Sequence, residues 1–246
     1  MDRLIYSSLA AMRGAMSRQA TIANNLSNAN TVGFRGEMAH AQSLWISGSG
    51  FDSRATVSGE VSGADMAAGA VMTTGRDMDV ALDNDALLAV QASDGEGYTR
   101  RGDLQVNDSG ILTTGDGTPV IGDAGPITLP PADKVSIGKD GTISIVPQGG
   151  DPKDPQQVAR LKLVSPKGSK VSKGLDGLFR VDGGGTLPAD PDAKLTAQSL
   201  EGSNVSASSA LVDMIDASRA WDGQVKMLTT AQDLDKASTA LMSMTE

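Results

Sequence analysis

The chain opens with MDRLIYSSLAAMRGAMSRQATIANNLSNANTVGF, residues 1–34. Within this stretch an apolar stripe recurs at alternating steps of four and three residues, which places its side chains along one side of an α-helix. The stripe consists of Ile5, Leu9, Met12, Met16, Gln19, Ala23 and Leu26. The spacing predicts a helix over residues 3–28 with a narrow seam that packs on another helix. Gln19 is the polar member, and it is typical of a side chain that fixes register.

A second seam of the same kind lies at the far end of the chain. It consists of Leu211, Met214, Ser218, Trp221, Val225 and Leu228. Ser206, Ser208 or Ser209 can cap the helix that carries it, which is predicted to run to about Met244. Residues 1–40 carry four arginines against two carboxylates, a net charge of +2, whereas residues 206–246 carry three cations against six carboxylates, a net charge of −3. The opposite charges favour contact between the two helices, or between copies of them.

Composition excludes several function classes. The net charge of −9 and the pI of about 4.6 argue against nucleic acid or an anionic membrane surface as the main partner. The chain has no cysteine, which rules out disulfides, thiolate zinc sites and cysteine nucleophiles. No apolar run approaches the ~20 residues of a membrane span. The apolar run Leu4–Met12 is too short, and its flanks too charged, to favour a cleaved signal peptide.

The middle of the chain changes to a period of two with strong turn signals. Two hairpins are predicted, one turning at Asn107–Gly110 and one at Lys139–Gly141, because an Asn or Asp followed by Gly supplies turn positions with φ > 0. Residues 76–190 are therefore predicted to form a small antiparallel β-domain. Residues 36–75 begin with a short helix or strand around Trp45, and their Gly, Ser, Ala and Thr then suggest an extended or partly disordered linker.

Residues that could carry chemistry are few. The lone histidine, His40, has no cysteine partner and is interpreted as a structural or surface residue. Four aspartates, Asp77, Asp79, Asp83 and Asp85, are the best candidates for a cation site, but they lack the spacing of a calcium loop. Their simpler interpretation is a solvated strand face that deters edge pairing. We therefore predict no catalytic residue, no metal site and no cofactor.

The segment Ala23–Phe34 resembles the N-terminal signature of the flagellar basal-body rod family, Ala-Asn-Asn-Leu-Ala-Asn-x-x-Thr-x-Gly-Phe. Leu200–Val205, followed by Met214–Trp221, is similar to the C-terminal signature of that family. Gly75–Ala81, Arg101–Leu104 and Asp140–Ile143 resemble its middle landmarks. Taken alone, the asparagine cluster of the first signature could be a helix C-cap. With the resemblance, it is interpreted as a junction whose residues are Asn24, Asn25, Asn28, Thr31, Gly33, Phe34, Leu200, Gly202 and Asn204.

The resemblance implies an α+β fold in which the N- and C-terminal helices pair as a coiled-coil-like domain, with the antiparallel β-domain inserted between them. It implies a terminal helical domain of residues 1–30 with 206–246, an intermediate domain of 31–75 with 191–205, and an outer domain of 76–190. The expected function is that of a structural rod subunit, most like proximal rod proteins, which assembles through its helix seams and transmits torque across the periplasm.

The expected partners are copies of the chain, other rod proteins and the flagellar type III export apparatus, with no nucleic acid, no membrane insertion and no cleaved signal peptide. A distal rod or hook-family subunit is the near alternative. A secreted enzyme acting on peptidoglycan through paired carboxylates, and a free-standing adhesin-like module, are the alternatives from other classes.

Overall fold

The computed structural model describes residues 2–45, 55–151 and 153–243, without the side chains of residues 2–7, 39–45, 55–62 and 241–243. Helix α1 spans Asp2–Ser27 and helix α2 spans Ala207–Ser243, so both predicted helices are confirmed. The predicted α+β class is confirmed as well, because an antiparallel β region lies between the helices in the chain. By contacts the chain divides into a helical unit of residues 1–27, 37–63 and 205–246 and a β unit of residues 28–36 and 64–204.

In the helical unit, α1 packs against α2 and against a strand that follows it. That strand is β1 (Glu37–Trp45), and it pairs with β2 (Ala55–Ala64) in a two-stranded sheet. The sequence left a helix or a strand open around Trp45 and predicted an extended or partly disordered linker beyond it. The structure has paired strands on both sides of residues 46–54, which lie outside the described residues. Small β-branched and polar residues can form such a ladder, since pairing uses the backbone.

Among the described residues, the β unit contains sixteen further strands, most of them short. They are β3 (Val71–Thr73), β4 (Val80–Leu82), β5 (Leu87–Ala92), β6 (Gly95–Thr99), β7 (Leu104–Val106), β8 (Leu112–Thr114), β9 (Ile121–Gly122), β10 (Gly125–Pro126), β11 (Ala132–Ile137), β12 (Thr142–Pro147), β13 (Gln156–Arg160), β14 (Leu163–Val164), β15 (Val171–Lys173), β16 (Phe179–Val181), β17 (Leu195–Ala197) and β18 (Ser199–Glu201).

The largest sheet of the β unit has five strands in the order β14-β5-β6-β16-β15, with antiparallel pairing throughout. Strands β11, β12 and β13 form a three-stranded antiparallel sheet. Strands β4 and β3 pair with β17 and β18, the last strands before α2. Leu88, Val90, Leu104 and Ile143 are among the fully buried side chains of the main core, which is aliphatic because the chain has few aromatic residues.

Both predicted hairpins are present, as β7–β8 and β11–β12. Gly110 (φ +77°) and Gly141 (φ +81°) take the left-handed conformation that closes each turn. The expectation that both turn positions have φ > 0 is wrong, because in these turns only the glycine does. In the first turn the Asn107 side chain instead accepts hydrogen bonds from the backbone N–H groups of Ser109 and Ile111.

Tyr98 is one of two buried aromatic residues in the described part of the second, smaller apolar cluster, the other being Phe179. Its hydroxyl accepts a hydrogen bond from the Leu187 N–H at 2.5 Å, and burial raises the pKa of Tyr98 to about 12. Neither of the two helices in the described ranges has an apolar stretch of the length and hydropathy that a membrane crossing requires.

Candidate assembly site

The junction predicted from sequence begins at the C-terminal end of α1 with Asn25. Its side-chain amide donates to the Glu37 carbonyl at 2.9 Å, and its Oδ1 accepts from the Glu37 N–H at 2.7 Å. The amide thus mimics a strand neighbour for the first residue of β1. This pair of hydrogen bonds fixes where the chain goes after the helix, whereas Asn24 is exposed on the same turn.

The turn after α1 depends on Asn28, Thr31 and Gly33. The Thr31 N–H donates to the Asn28 carbonyl, and the Thr31 hydroxyl donates to Asn28 Oδ1, both at 3.1 Å. Gly33 has φ +66°, and a Cβ there would lie 2.5 Å from backbone atoms of Arg100. Its own N–H donates to the Glu201 carbonyl at 2.7 Å. A glycine is therefore required for conformation and for space.

Asn204 connects three stretches of backbone within the β unit. Its Oδ1 accepts from the Gly36 N–H at 2.8 Å, and its N–H donates to the Phe34 carbonyl at 3.3 Å. Its Nδ2 donates to the carbonyls of Asp65 (2.9 Å) and Ala67 (3.1 Å). The asparagine of the C-terminal signature thus binds the N-terminal signature directly.

Gly202 and Leu200 lie beside the same stretch of chain. The Gly202 N–H donates to the Ala70 carbonyl at 2.8 Å, and Leu200 pairs with Met72 in the β3–β18 ribbon. A Cβ on Gly69 would lie 2.1 Å from the Gly202 carbonyl oxygen, so the two backbones meet without room for a side chain. Backbone contacts therefore fix the positions of Leu200 and Gly202.

Phe34, the last residue of the N-terminal signature, is half-buried against a lysine. Lys173 Nζ lies 3.6 Å from the centroid of the Phe34 ring and donates to the Arg35 carbonyl at 3.0 Å. A cation over an aromatic face is attractive. Lys173 could not be expected here from the sequence, since it lies far from Phe34 along the chain.

A buried charge cluster lies beside the junction residues of the β unit. Glu201 Oε1 is 2.7 Å from Arg35 Nη2 and accepts from the Gly69 N–H at 2.8 Å, while Oε2 accepts from Arg100 Nε (2.9 Å) and Nη2 (2.5 Å). All three charged side chains are at most 2% exposed. Arg100 also donates to the carbonyls of Leu82, Asn84 and Ala86. One carboxylate is therefore shared between two guanidinium groups.

This cluster was missed from the sequence, although Glu201 belongs to the quoted C-terminal signature. Burial lowers the pKa of Arg100 and the charge of Glu201 opposes that shift, so the ion pair keeps a buried guanidinium in place. Nε and Nη1 of Arg35 are buried without a hydrogen-bond partner among the described residues. Nothing in the spacing of Arg35, Arg100 and Glu201 marks them as neighbours.

The two helices pack through one face each, and the predicted seams coincide with those faces only in part. In the described part of the helical unit, the buried hydrophobic residues are Ile22, Ala210 and Ala217, with Leu26 and Met214 packed beside them. The predicted seams did not include Ile22, Ala210 or Ala217. Ile22 immediately precedes the seam position Ala23, and the two alanines are not large apolar residues of the kind that mark a seam. The contact face of α2 therefore alternates small residues with members of the predicted seam.

Each predicted seam is split by the structure into an inward half and an outward half. The inward half is half-buried and consists of Met12, Leu26, Met214, Trp221 and Leu228. The outward half is exposed and consists of Leu9, Met16, Ala23, Leu211, Ser218 and Val225, which repeat every seven residues on each helix. Gln19 is also exposed, and the side chain of Ile5 lies outside the described part of the chain.

The aspartates considered as a cation site are not brought together as ligands. Asp77 accepts from Gln198, Asp79 pairs with Arg76 (2.9 Å) and accepts from Thr74, and Asp83 accepts from Thr196. In the described ranges no three His, Asp or Glu side chains are grouped as a metal site requires. The side chain of His40 lies outside those ranges.

Comparison with protein-family models gives three matches along the chain. Residues 5–35 match the flagella basal body rod protein family, residues 81–145 match the D1 domain of the flagellar hook proteins FlgE/F/G, and residues 196–241 match the C-terminal region of the flagellar basal body rod FlgEFG proteins. The first and third matches contain the two halves of the junction and both helix seams. The resemblance seen in the sequence is thereby confirmed.

Curated relatives match over nearly the full length. The flagellar basal-body rod protein FlgF of Salmonella typhimurium is 40% identical, with 99% of this chain and 100% of the relative covered. FlgF of Caulobacter vibrioides is 31% identical, with 97% of each chain covered, and FlgG of Bacillus subtilis is 30% identical, with 95% and 97% covered. The signatures, the paired end helices and these full-length matches agree, and this protein belongs to the family of flagellar basal-body rod proteins.

Proposed function

We propose that this protein is a structural subunit of the proximal part of the flagellar rod, which self-assembles through its terminal helices and transmits torque across the periplasm. The FlgF relatives, which match over nearly their whole length, support a rod subunit of this type. A distal rod subunit is the nearest alternative, and the match to FlgG supports it less strongly because identity is lower. A hook-family subunit stands behind both.

The observation that carries the proposal is the outward half of each helix seam. Leu9, Met16, Leu211 and Val225 are 42%, 57%, 50% and 38% exposed, although each lies at the heptad spacing of a packing surface. Apolar residues at this spacing are expected to be covered by another helix. Because α1 and α2 already cover each other through their inward faces, the helix that covers the outward halves belongs to a neighbouring subunit.

The junction residues are proposed to position the segments that connect to the two helices. By binding Gly36, Asp65 and Ala67, Asn204 gives the segments that lead to and from the helices a defined path. We assign this role also to the other junction positions from Asn24 to Phe34 and from Leu200 to Gly202. In an assembled rod, the three layers are residues 1–30 with 206–246, residues 31–75 with 191–205, and residues 76–190.

The partners in this proposal are copies of the chain, other rod proteins and the flagellar type III export apparatus. The chain is exported unfolded without a cleaved signal peptide and then folds in the basal body, where neighbouring subunits cover its outward stripes. The opposite net charges of the two end segments support contacts between copies, although each exposed pair contributes only about 1 kcal/mol or less.

A catalytic role is the competing hypothesis from another class. Asp77, Asp79 and Asp83 are each bonded to a different partner, which leaves them poorly placed as a general acid and base pair. Zymography of the purified full-length chain on peptidoglycan tests this hypothesis. Clearing of the cell-wall substrate would replace the structural proposal with an enzymatic one.

The proposal itself is tested by Leu211→Ser, with Val212→Ser as its matched control. The two residues are similarly exposed, at 50% and 58%, but only Leu211 belongs to the outward half of the predicted seam. We expect Leu211→Ser to leave the thermal unfolding of the purified monomer unchanged and to abolish rod and hook growth in cells, whereas Val212→Ser supports growth. Normal growth with Leu211→Ser and with Leu9→Ser would refute assembly through these stripes.

A further inference from the structure

The outward surface of α1 carries a positive charge among its apolar residues. Leu9, Arg13, Met16, Ala20 and Ala23 follow one another at steps of four, three, four and three residues, and all five are exposed. Such spacing places them on one side of the helix. In the part of the chain that the structure describes, Arg13 forms no ion pair, so its guanidinium is available to a partner.

The outward surface of α2 has the same spacing and the opposite charge. Leu211, Ile215, Ser218, Asp222 and Val225 are all exposed and again follow at steps of four, three, four and three residues. Asp222 also forms no ion pair with any residue that the structure describes. Each helix therefore presents an apolar stripe with one charge, positive on α1 and negative on α2.

The direction of the helices restricts how two such stripes can meet. Ile22 and Leu26, near the end of α1, pack with Ala210 and Met214, near the start of α2, so the paired helices run in opposite directions. In a head-to-tail assembly that does not close, every copy has the same orientation. A helix α1 that lies beside α2 of the next copy is therefore antiparallel to it.

We propose that the α1 stripe of one copy packs antiparallel on the α2 stripe of a second copy, in the register that places Arg13 opposite Asp222. The partner is another copy of this chain, because the two stripes match each other in spacing, direction and charge. This inference rests on the proposed function, since it names which surfaces of neighbouring subunits meet.

The antiparallel register also gives suitable partners to the other residues of the two stripes, where each pair of opposite residues forms one layer of the contact. With Arg13 opposite Asp222, Leu9 lies opposite Val225 at one end of the stripe, and both side chains are apolar. The parallel register that starts by pairing Leu9 with Leu211 would instead bring Arg13 against Ile215. A charge facing an apolar side chain loses solvation without gaining a partner, so the antiparallel register is favoured.

Side-chain size supports the same register at the other end of the stripe. There the small residues Ala20 and Ala23 of one copy lie opposite the large residues Ile215 and Leu211 of the other. Small residues facing large ones let two helices approach closely and fill the space between them. The layers are therefore matched in volume as well as in charge.

Disulfide cross-linking between copies tests the register, and the absence of cysteine from the natural chain makes the reporter clean. One full-length chain carries Leu9→Cys and a second carries Val225→Cys. Both are expressed in the same cells, and the assembled basal bodies are isolated and oxidised. We expect a covalent dimer on a non-reducing gel, because side chains in one layer lie close enough for a disulfide.

The control replaces Val225→Cys with Leu211→Cys, the partner that the parallel register would give Leu9. A dimer from the control at a yield equal to or above that of the test pair would overturn the proposal. So would absence of a dimer from the test pair in basal bodies of normal appearance, which would mean that another protein covers the stripe. Chains carrying only one of the substitutions establish the background.

Charge exchange provides a second test that does not depend on cysteine. Arg13→Asp and Asp222→Arg, each alone, place like charges opposite each other, and we expect each to cause loss of swimming motility. The double variant restores the pair and should regain motility. If the double variant does not regain motility although each monomer is folded by circular dichroism, the proposed register is contradicted. Assembly through the stripes themselves is tested separately by the Leu211→Ser experiment.

Discussion

Glu201 joins its own strand to three other parts of the chain through its side chain and its carbonyl. The carboxylate binds Arg35, Arg100 and the Gly69 N–H, and the carbonyl accepts from the Gly33 N–H. Two guanidinium groups are thereby kept in a site from which water is excluded. An isolated charge in such a site is very unfavourable, so the pairing matters more than it would at the surface.

Replacing Glu201 with Gln should therefore destabilise the β unit strongly. The amide keeps the size of the side chain but leaves Arg35 and Arg100 without a counter-charge, and the loss of one partner from a buried pair costs about 3–5 kcal/mol. Urea unfolding of the purified chain measures the change in the free energy of unfolding. Asp123→Asn, at an exposed carboxylate, is the control and should leave the midpoint unchanged, and a similar midpoint for both variants would contradict the structural role of the cluster.

Gly33→Ala tests the close backbone approach in the N-terminal signature. A methyl group there must adopt a left-handed conformation and also meet the Arg100 backbone at 2.5 Å. Gly117→Ala is the matched control, because Gly117 also has positive φ (+85°) but has no atom within 4 Å of the added Cβ. The control should lose about 1–2 kcal/mol from strain alone. Differential scanning calorimetry should show a clearly larger loss for Gly33→Ala, and equal losses would exclude the steric effect.

The raised pKa of Tyr98 predicts how the stability of the β unit changes at alkaline pH. Folding raises the pKa of this phenol to about 12, above its ordinary value of 10.0, so the folded state favours the protonated form. This contribution to stability is fully present below pH 10 and is lost as pH rises through 12. Unfolding measured across this range, with phenolate absorbance followed in parallel, should show the loss. Tyr98→Phe should remove the high-pH absorbance step, and its persistence would assign the step to another group.

At the scale of the elements, α1 and α2 hold together through small side chains. Ala210 and Ala217 are buried between them, with Met214 and Ile22 filling the remaining space. Small residues on a contact face allow two helix backbones to approach, but they contribute little apolar area. The helix pair is therefore close-fitting and weakly stabilised within one chain, as expected for helices that acquire further neighbours.

Ala217→Met should separate the two helices. The larger side chain cannot fit between the backbones, and overpacking of this kind costs about 1–3 kcal/mol. Thermal unfolding followed by the helical circular dichroism signal measures the effect. Ala220→Met, at an exposed position of the same helix, is the control and should melt as the natural protein does. Equal melting of both variants would show that Ala217 is not at the helix contact.

The elements also show what periodicity can and cannot reveal. The existence of both helices and of the two Asn- or Asp-Gly hairpins followed from local spacing, because helices and tight turns are determined by neighbours in the chain. Which half of each seam faces inward did not follow, since Leu9 and Met12 look alike on a helical wheel. The pairing of β1 with β2 was also hidden, because their small residues do not resemble a buried strand.

On the scale of the whole molecule, the two compact units differ in the apolar core that supports them. The described part of the helical unit has three buried hydrophobic residues in its cluster, whereas the β unit contains two larger clusters. Stability within a protein follows such differences, and segments with few buried contacts open first. The helices should therefore open more readily than the β unit in a dilute monomer.

Limited proteolysis of the dilute monomer should cut residues 1–30 and 206–246 first and leave a resistant fragment close to residues 64–204. Thermolysin suits this experiment because it cleaves at apolar residues, which both units contain. Mass spectrometry of the early products identifies the cleavage sites. Terminal helices that survive as long as the β unit would contradict the expected order of stability.

Only part of the junction could be identified from a single sequence. Asn25, Gly33 and Asn204 were identified because they lie in signature segments, and the structure gives each a backbone contact that explains its residue type. Arg100 and Lys173 were not identified, because they approach the junction from distant strands. Contacts between residues far apart along the chain depend on tertiary packing, which neither composition nor spacing encodes in a readable way.

The two outward stripes lie on different helices, and this separation has a genetic consequence. A copy with an intact α1 stripe and an altered α2 stripe could still join a growing end, but it would offer the next copy no surface to bind. It would act as a chain terminator, so a minor proportion of such copies, produced beside the natural protein, should arrest growth and behave as a dominant allele. A substitution in the buried Glu201 cluster should instead be recessive, since copies that fail to fold cannot be incorporated at the growing end.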